Sequence, residues 1–225
     1  MSLALVRLLQ LASPALPVGA YSYSQGLESA VEAGIVKTAA DAKTWISDLL
    51  NFNVASMEAP VGVRLYRAWH DEDYANAGYW NSYALASRET MELRAESAQM
   101  GYSLAKLLVD GNFCDEKRLI ALTQLAIKSF PAAFSFAAVQ FGLSEREFVS
   151  AYLWSWLENQ VIAAVKLVPL GQVAGQKLMF ELGEKIPQLV EQVLELSDDD
   201  LCNYTPGLAI LSGQHETQYS RLFRS

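Results

Sequence analysis

The chain has 225 residues, of which 52% are hydrophobic and 19% are charged, and its formal net charge is −8. This length and apolar content predict a folded protein with a substantial core. Because acidic residues outnumber basic ones by 25 to 17 and no Lys/Arg cluster forms, we expect binding neither to nucleic acid nor to an anionic membrane surface.

The cysteines and the first residues favour a cytoplasmic protein. Cys114 and Cys202 lie far apart, and two cysteines in a chain this large are more often reduced thiols than a disulfide. The opening apolar run carries Arg7 inside it rather than before it, which fits a signal peptide poorly. No stretch approaches the roughly 20 apolar residues that span a bilayer.

The segment 13–28 reads SPALPVGAYSYSQGLE and predicts a connecting loop after a short apolar helix over 3–11. Its two prolines fix the backbone, and Gly19 permits a turn that a Cβ would obstruct. Tyr21 and Tyr23 place large rings on this loop. Loops on a rigid scaffold often carry function, and the alternative is that both rings pack back onto the protein body.

The following segments have the pattern of helices, and we find no alternation typical of strands. Thr38 is expected to cap a helix that Pro60 breaks or restarts. Ser144 and Glu147 have capping-box spacing at the start of a long helix over 145–168, which is apolar nearly all round. The sequence therefore predicts an all-α fold, a single-domain bundle of about ten helices.

The clearest predicted helix spans 88–109 and carries one narrow polar strip, which includes Arg88, Glu92 and Glu96. A strip this narrow indicates a helix that is covered on several sides. Arg94 falls within the apolar arc, so we expect a buried guanidinium with carboxylate or carbonyl partners.

The last part of the chain changes character at residue 197. Residues 197–225 are largely polar, and Leu222 and Phe223 stand isolated between two arginines. Such a segment buries too little apolar surface to order itself, so we expect a flexible tail that folds on a partner, with ordinary terminal fraying as the alternative. The predicted division is a helical domain over 1–196 and a partner-binding tail over 197–225.

No complete catalytic or metal-binding motif is found in the sequence. His215 and Glu216 begin a zinc-protease motif, but Tyr219 stands where the second histidine is required. Residues 171–177 lack the glycine spacing of a phosphate loop. We therefore expect a protein of interaction rather than an enzyme, with no cofactor and no metal site of its own.

Five separated blocks resemble the UreF family of urease accessory proteins, and together they cover nearly the whole chain. The blocks are SPALPVGAYSYSQGLE at 13–28, ASRETMELRAESAQMGYSL at 86–104, FPAAFSFAAVQFG at 130–142, YLWSWLENQVIAAVKLVPLGQ at 152–172 and GLAILSGQHETQYSRLFRS at 207–225. The resemblance implies an all-helical homodimer that acts in nickel delivery to apo-urease. It also implies a complex with the accessory proteins UreD (also called UreH) and UreG, in which this chain recruits the GTPase UreG and modulates its nucleotide turnover.

The resemblance also assigns two sets of partner-binding residues. We call those assigned to UreG the loop set: Tyr21, Tyr23, Gln25, Glu28, Lys166 and Gln172. We call those assigned to UreD the tail set: His215, Gln218, Tyr219, Arg221, Leu222, Phe223 and Arg224. The family commonly carries Phe at position 21, so the hydroxyl of Tyr21 departs from its pattern.

Two other hypotheses remain open. The chain could hold nickel itself, although nickel needs several convergent ligands and the sequence offers no cluster; the candidates are His70, His215, Cys114 and Cys202. Alternatively, the polar run 158–160 in the middle of the long helix could line a wet passage for nickel within the assembly. At least one of these three residues must face inward, and simple hydrogen bonding in the core is the alternative.

Overall fold

The computed structural model describes residues 3–225, and every regular element in this part of the chain is helical. The predicted all-α class is therefore confirmed; residues 1 and 2 of the predicted domain lie outside the described residues. The α-helices are α1 (Leu3–Leu11), α2 (Leu27–Glu32), α3 (Ala39–Leu49), α4 (Ala59–His70), α5 (Tyr74–Ala86), α6 (Met91–Asp110), α7 (Glu116–Gln124), α8 (Phe130–Gln140), α9 (Glu145–Leu167), α10 (Gln172–Gly183), α11 (Ile186–Glu195) and α12 (Pro206–His215).

The predicted helix starts are confirmed by their caps. The Thr38 side chain accepts from the Asp41 backbone N–H, and the Asp41 carboxylate accepts from the Thr38 backbone N–H, so both halves of a capping box are present. Ser144 and Glu147 form the same reciprocal pair at the start of α9. These bonds satisfy backbone donors that a helix leaves free in its first turn.

A π-helical segment over Leu50–Glu58 joins α3 to α4. Pro60 then lies in the first turn of α4, where its missing N–H costs nothing, so the proline restarts a helix rather than ending one. The wider winding of a π-helix shifts the register of every residue after it. Glu58, at the end of this segment, is buried.

Helix α8 lies at the centre of the bundle, where α4 and α6 pack against it. Its run of alanines and phenylalanines is almost wholly buried. Close approach is possible because Gly101 of α6 faces the backbone of residues 128–129, where a Cβ would overlap the Lys128 carbonyl. The long helix α9 packs against α10 and α11 on its other side.

The structure corrects the prediction for Arg94, which is exposed and donates to the carbonyls of Leu85 and Arg88. The residues that are buried are instead Arg88 and Glu96, both from the polar strip. The first half of that strip faces the opening loop and the end of the chain, so its polar groups are satisfied by protein rather than by water.

The last part of the chain packs on the body in this conformation. Helix α12 contacts α2 and α6, and its Leu208 and Leu211 are buried. After α12 the chain has no regular helix, yet Phe223 and Ser225 are also buried. Whether this segment serves as a separate partner-binding unit stays a prediction. Among residues 3–225, no helix combines the length and the apolar character that crossing a membrane requires.

Candidate functional site

The opening loop bends twice through left-handed backbone. Gly19 has φ +80° before a short 3₁₀ turn over Ala20–Ser22. Gln25 and Gly26 then have φ +50° and +75° in succession, and α2 begins at the next residue. Such angles are unstrained for glycine but unfavourable for glutamine, so contacts must hold Gln25 in place.

The two tyrosines of this loop have different environments. Tyr21 is 66% exposed, whereas Tyr23 is only 5% exposed. Burial, and then the charge of Glu96, raises the pKa of Tyr23, while a hydrogen bond from Arg224 opposes that shift. Tyr21 is therefore the ring available to a partner in this conformation. The ring of Tyr23 is packed against the protein body and helps to fix the loop in place.

Glu28, in the first turn of α2, joins the opening loop to the end of the chain. Its carboxylate accepts the backbone N–H of Leu222 at 2.7 Å and that of Phe223 at 2.8 Å. Hydrogen bonds to an ionised acceptor are among the stronger ones in proteins. A single side chain of the loop set thus orients two residues of the tail set.

A second polar contact lies beside Glu28. The His215 ring is fully buried, with Nε2 3.3 Å from Glu28 Oε2 and Nδ1 2.7 Å from Glu92 Oε2. Arg221 donates to the other oxygen of Glu92 at 2.6 Å. The two carboxylates bind opposite ring nitrogens, so they cannot converge with His215 on a common metal position.

The final residues pair with the loop backbone. The Ser225 backbone oxygen accepts from the Ser24 N–H at 2.7 Å, the Ser24 hydroxyl at 2.6 Å and the Gln25 N–H at 3.1 Å. The Arg224 N–H donates to the Ser22 carbonyl at 2.8 Å. These bonds seat the tail against the same turn that presents Tyr21.

The remaining residues of both sets lie at the rim of this contact or apart from it. Lys166 places its ammonium 5.6 Å from the Phe223 ring centroid, within cation–π range. Gln218 accepts from the Ser29 hydroxyl at 3.2 Å. Tyr219 is fully exposed, and Gln172 is exposed at the start of α10.

The two predicted sets therefore meet in one network, which we call the loop–tail site: residues 21–28 and 215–225 with Glu92, Glu96 and Lys166. The sequence separated these sets, and their direct contact is a finding of the tertiary structure. Sequence reasoning missed Glu96 and Ser225. A signal was present, because Glu96 lies one helical turn after Glu92 on the same strip, but nothing indicated that this strip faces the tail.

A cavity of about 80 Å³ lies beneath the opening loop. Its wall includes the buried ion pair of Arg88 and Glu58, with Nη1 and Oε1 2.7 Å apart. The Tyr152 hydroxyl donates to Glu58 at 3.0 Å, and burial raises the pKa of Tyr152 well above its ordinary value. Glu96 lines the same cavity, whose opposite wall is apolar.

The polar run in α9 points in three directions, as predicted. Asn159 donates to the Tyr23 carbonyl at 3.2 Å, so it supports the opening loop. Glu158 lines a separate surface groove beside α1, and burial raises its pKa. Gln160 is fully buried, and neither of its amide atoms has a hydrogen-bond partner within the described residues.

The four residues proposed as nickel ligands are in different surroundings. His70 is exposed and contacts Asp71, whereas His215 is enclosed by the loop–tail site. Burial raises the pKa of the Cys114 thiol to about 11, which disfavours the thiolate that binds metal. Within residues 3–225, no three side chains of His, Cys, Asp or Glu are grouped to hold a metal ion.

Comparison with known proteins places this chain in a family. The profile of the UreF family matches residues 36–183. The urease accessory protein UreF of Azoarcus sp. (strain BH72) is 56% identical, with 99% of this chain and 96% of the relative covered. The corresponding protein of Methylobacillus flagellatus is 49% identical over 100% of this chain and 99% of its own length. That of Cupriavidus metallidurans is 47% identical, with coverage of 98% and 97%. The chain belongs to the UreF family of urease accessory proteins.

Proposed function

We propose that this protein is a scaffold of urease maturation, which joins UreD and the GTPase UreG on apo-urease and modulates GTP-dependent nickel insertion. The observation that carries the proposal is the direct contact of the loop set and the tail set at Glu28. A partner that draws on the tail must disturb Glu28, and with it the start of α2. Binding at one set is therefore coupled to the conformation of the other.

The tail offers UreD an exposed apolar contact. Leu222 is 66% exposed although its neighbour Phe223 is buried, and Tyr219 is fully exposed. Exposed aromatic and aliphatic side chains on a segment without regular helix suit capture by a groove of a partner. We therefore assign UreD binding to this segment, with Leu222 as its outer anchor.

The opening loop offers UreG a mixed surface. Tyr21 is a large exposed ring on a turn whose backbone is hydrogen-bonded to Arg224 and Ser225. Lys166 is an exposed cation at the edge of this turn. Rigid aromatic anchors with charged neighbours are common at the centre of binding surfaces. We propose that Tyr21 and Lys166 contact UreG, while Tyr23, Gln25 and Glu28 act by supporting the loop.

We also propose a homodimer through the face formed by α1, α9, the end of α10 and the start of α11. A groove there includes Leu9, Trp154 and Ile186, and Leu9 is 57% exposed. Gly183, at the end of α10, lines the same groove. Phe180, one turn earlier on this helix, is 72% exposed. An apolar surface of this kind favours a covered state, and a second copy of the chain would cover it.

The decisive experiment is co-purification with UreD and UreG. Leu222→Asp should reduce UreD capture by at least about tenfold, because it places a charge at the proposed anchor. Ile127→Asp is the matched control, since Ile127 is 55% exposed and lies between α7 and α8, outside the predicted tail. Tyr21→Ala should weaken UreG recruitment in the same way, with the exposed Tyr79 of α5 as its control.

A second experiment tests whether the purified chain hydrolyses GTP or binds Ni²⁺ by itself. As a scaffold, the purified chain should neither hydrolyse GTP nor bind Ni²⁺ with sub-micromolar affinity, which phosphate release and calorimetry measure. Tight Ni²⁺ binding that is lost in His215→Ala would instead favour the nickel-holding alternative. Unchanged capture by both Leu222→Asp and Tyr21→Ala would contradict the assignment of the partner surfaces.

A further inference from the structure

The cavity beneath the opening loop lies among three helices. Residues of α6, α8 and α9 form its walls, and parts of residues 11–25, from the end of α1 into the opening loop, cover it. Pro14 and Tyr21 line the cavity and are themselves exposed, so its mouth is at the outer face of the loop. Its volume of about 80 Å³ is therefore open to small molecules from solvent.

One side of this cavity is apolar. The buried side chains that line it include Leu93 and Met100 of α6, Phe134 of α8 and Val18 of the opening loop. An apolar cavity of roughly 150 Å³ holds benzene, so one of about 80 Å³ takes a molecule of roughly three to five non-hydrogen atoms. The size of the cavity thus restricts its occupant to a very small molecule.

The polar end of the cavity contains an arginine with unpaired donors. Arg88 lines the cavity just before α6 and is 6% exposed. Its guanidinium carries five N–H groups, and the hydrogen bonds that it makes to residues 3–225 all go to Glu58, through Nη1 and Nη2. Because an unpaired buried donor is costly, this end favours an occupant with a hydrogen-bond acceptor.

A carboxyl group with unused acceptor capacity lines the same space. Glu96 lies in the middle of α6 and is only 5% exposed. Its Oε1 accepts from the Gln25 side-chain amide at 2.7 Å, and its Oε2 is bonded to the Ser225 hydroxyl at 2.7 Å. Since the two oxygens of a carboxyl group offer more acceptor positions than these bonds use, Glu96 can accept a further hydrogen bond whether it is ionised or protonated.

Arg88 and Glu96 are close to each other but are not paired. The ion pair of Arg88 is made with Glu58. Burial raises the pKa of Glu96 to about 7, and the hydrogen bonds to Glu96 and the charge of Arg88 oppose this shift. The unpaired donors and the unused acceptor therefore lie at the same end of the cavity, where one small occupant can bond to both.

We propose that this cavity is a binding site for a small neutral molecule with a primary amide group. The amide oxygen accepts from Arg88, the amide nitrogen donates to Glu96, and the short apolar group contacts Leu93 and Met100. A carboxylate would instead face Glu96, and an ammonium ion would leave the donors of Arg88 without an acceptor. This site does not depend on partner capture, so rejection of either proposed partner surface would leave it standing.

A series of small probes with the same shape tests this assignment. Acetamide, acetone, acetate and acetamidinium have the same number of non-hydrogen atoms around one planar carbon, but only acetamide combines an acceptor with a neutral N–H donor. We expect acetamide to bind with a dissociation constant of about 0.1–10 mM, the range open to so small a ligand. It should bind at least about tenfold more tightly than the other three, because each of them leaves a buried donor or acceptor unpaired.

Nuclear magnetic resonance spectra of the full chain measure this binding. Trp156 and Met100 line the cavity, so the indole N–H of Trp156 and the methyl group of Met100 should shift and saturate as acetamide is added. The indole of Trp69, which donates to the Ala132 carbonyl outside the cavity, is the internal control. Shifts at Trp156 that do not saturate, or that equal those at Trp69, would overturn the proposal. Tighter binding of acetate or acetamidinium than of acetamide would overturn it as well.

Two substitutions test the two sides of the cavity. Arg88→Lys keeps a positive charge beside Glu58 but lacks the remaining N–H groups of the guanidinium, so it should weaken acetamide binding about tenfold. Arg118→Lys is the matched control, because Arg118 is paired with Glu72 away from the cavity. Equal affinities in these two variants would contradict the assigned role of Arg88.

Val18→Phe should fill the cavity from the loop side and abolish acetamide binding. Val173→Phe is its control, since Val173 is 71% exposed on α10 and does not line the cavity. Acetamide binding that persists unchanged in Val18→Phe would place the ligand elsewhere and overturn the proposal. Where a variant does not fold, the probe series in the unaltered chain decides by itself.

Discussion

Tyr21 and Tyr23 illustrate how little a residue's type decides about its role. They are two positions apart in a tyrosine-rich loop, yet one is 66% exposed and the other 5% exposed. The sequence treats both as candidate anchors. Tyr23 is bonded to Arg224 and Asn159, which come from distant parts of the chain, so no local pattern distinguishes the two rings.

Glu28 is the residue at which the coupling of loop and tail can be tested most directly. Glu28→Ala removes the acceptor for two backbone N–H groups and leaves them unsatisfied, which should lower the free energy of unfolding by about 2–3 kcal/mol. Urea denaturation measures this change. Glu32→Ala, at an exposed position of the same helix, is the control and should alter stability little. Equal effects of both substitutions would contradict a special role for Glu28.

At the scale of elements, α6 combines a correct prediction with an incorrect one. Its end and the burial of Leu93, Leu104 and Leu108 followed from the apolar pattern, because periodicity reports which faces pack. The helix starts three residues later than predicted, and Met91 and Tyr102 of the predicted apolar arc are exposed. The pattern could not identify which polar residues face inward, since a helical wheel treats all polar residues alike. Arg94 is exposed and Glu96 is buried because the tail covers the strip at Glu96 and leaves Arg94 uncovered.

The close packing of α6 on α8 gives a prediction about stability. Gly101→Ala would place a Cβ against the backbone of residues 128–129, which cannot move aside easily, so it should destabilise the fold by about 2–3 kcal/mol. Thermal unfolding followed by circular dichroism measures the loss. Gly78→Ala is the matched control: its Cβ meets open space on α5, and alanine should there stabilise by up to about 1 kcal/mol. A neutral Gly101→Ala would show that the α6–α8 contact can relax.

At the scale of the whole molecule, the proposed homodimer depends on the apolar face beside α1. The high hydrophobic content of the sequence indicates that some apolar surface must be covered. It does not indicate where that surface lies, because exposed and core leucines in α1 and α9 look the same in the sequence. The structure locates Leu9, Trp154 and Phe180 at the surface.

The homodimer is tested by Leu9→Arg, which places a charge in the middle of this face. We expect the variant to sediment as a monomer at micromolar concentration, because an unpaired charge is costly at an apolar interface. Ile127→Arg, at an exposed position after α7, is the control and should leave the assembly unchanged. A dimer that persists in Leu9→Arg, measured by analytical ultracentrifugation, would place the interface elsewhere.

The sequence by itself determined the helices, their caps and the family. These features depend on residues within one or two helical turns of each other, as in the Ser144–Glu147 cap, or on whole motifs that are recognised in order. Only the tertiary structure decided that Glu28 meets Phe223, 195 positions later, and that Glu96 lies buried between loop and tail. Contacts of such long range arise from how the helices pack, and no local spacing of residues encodes them.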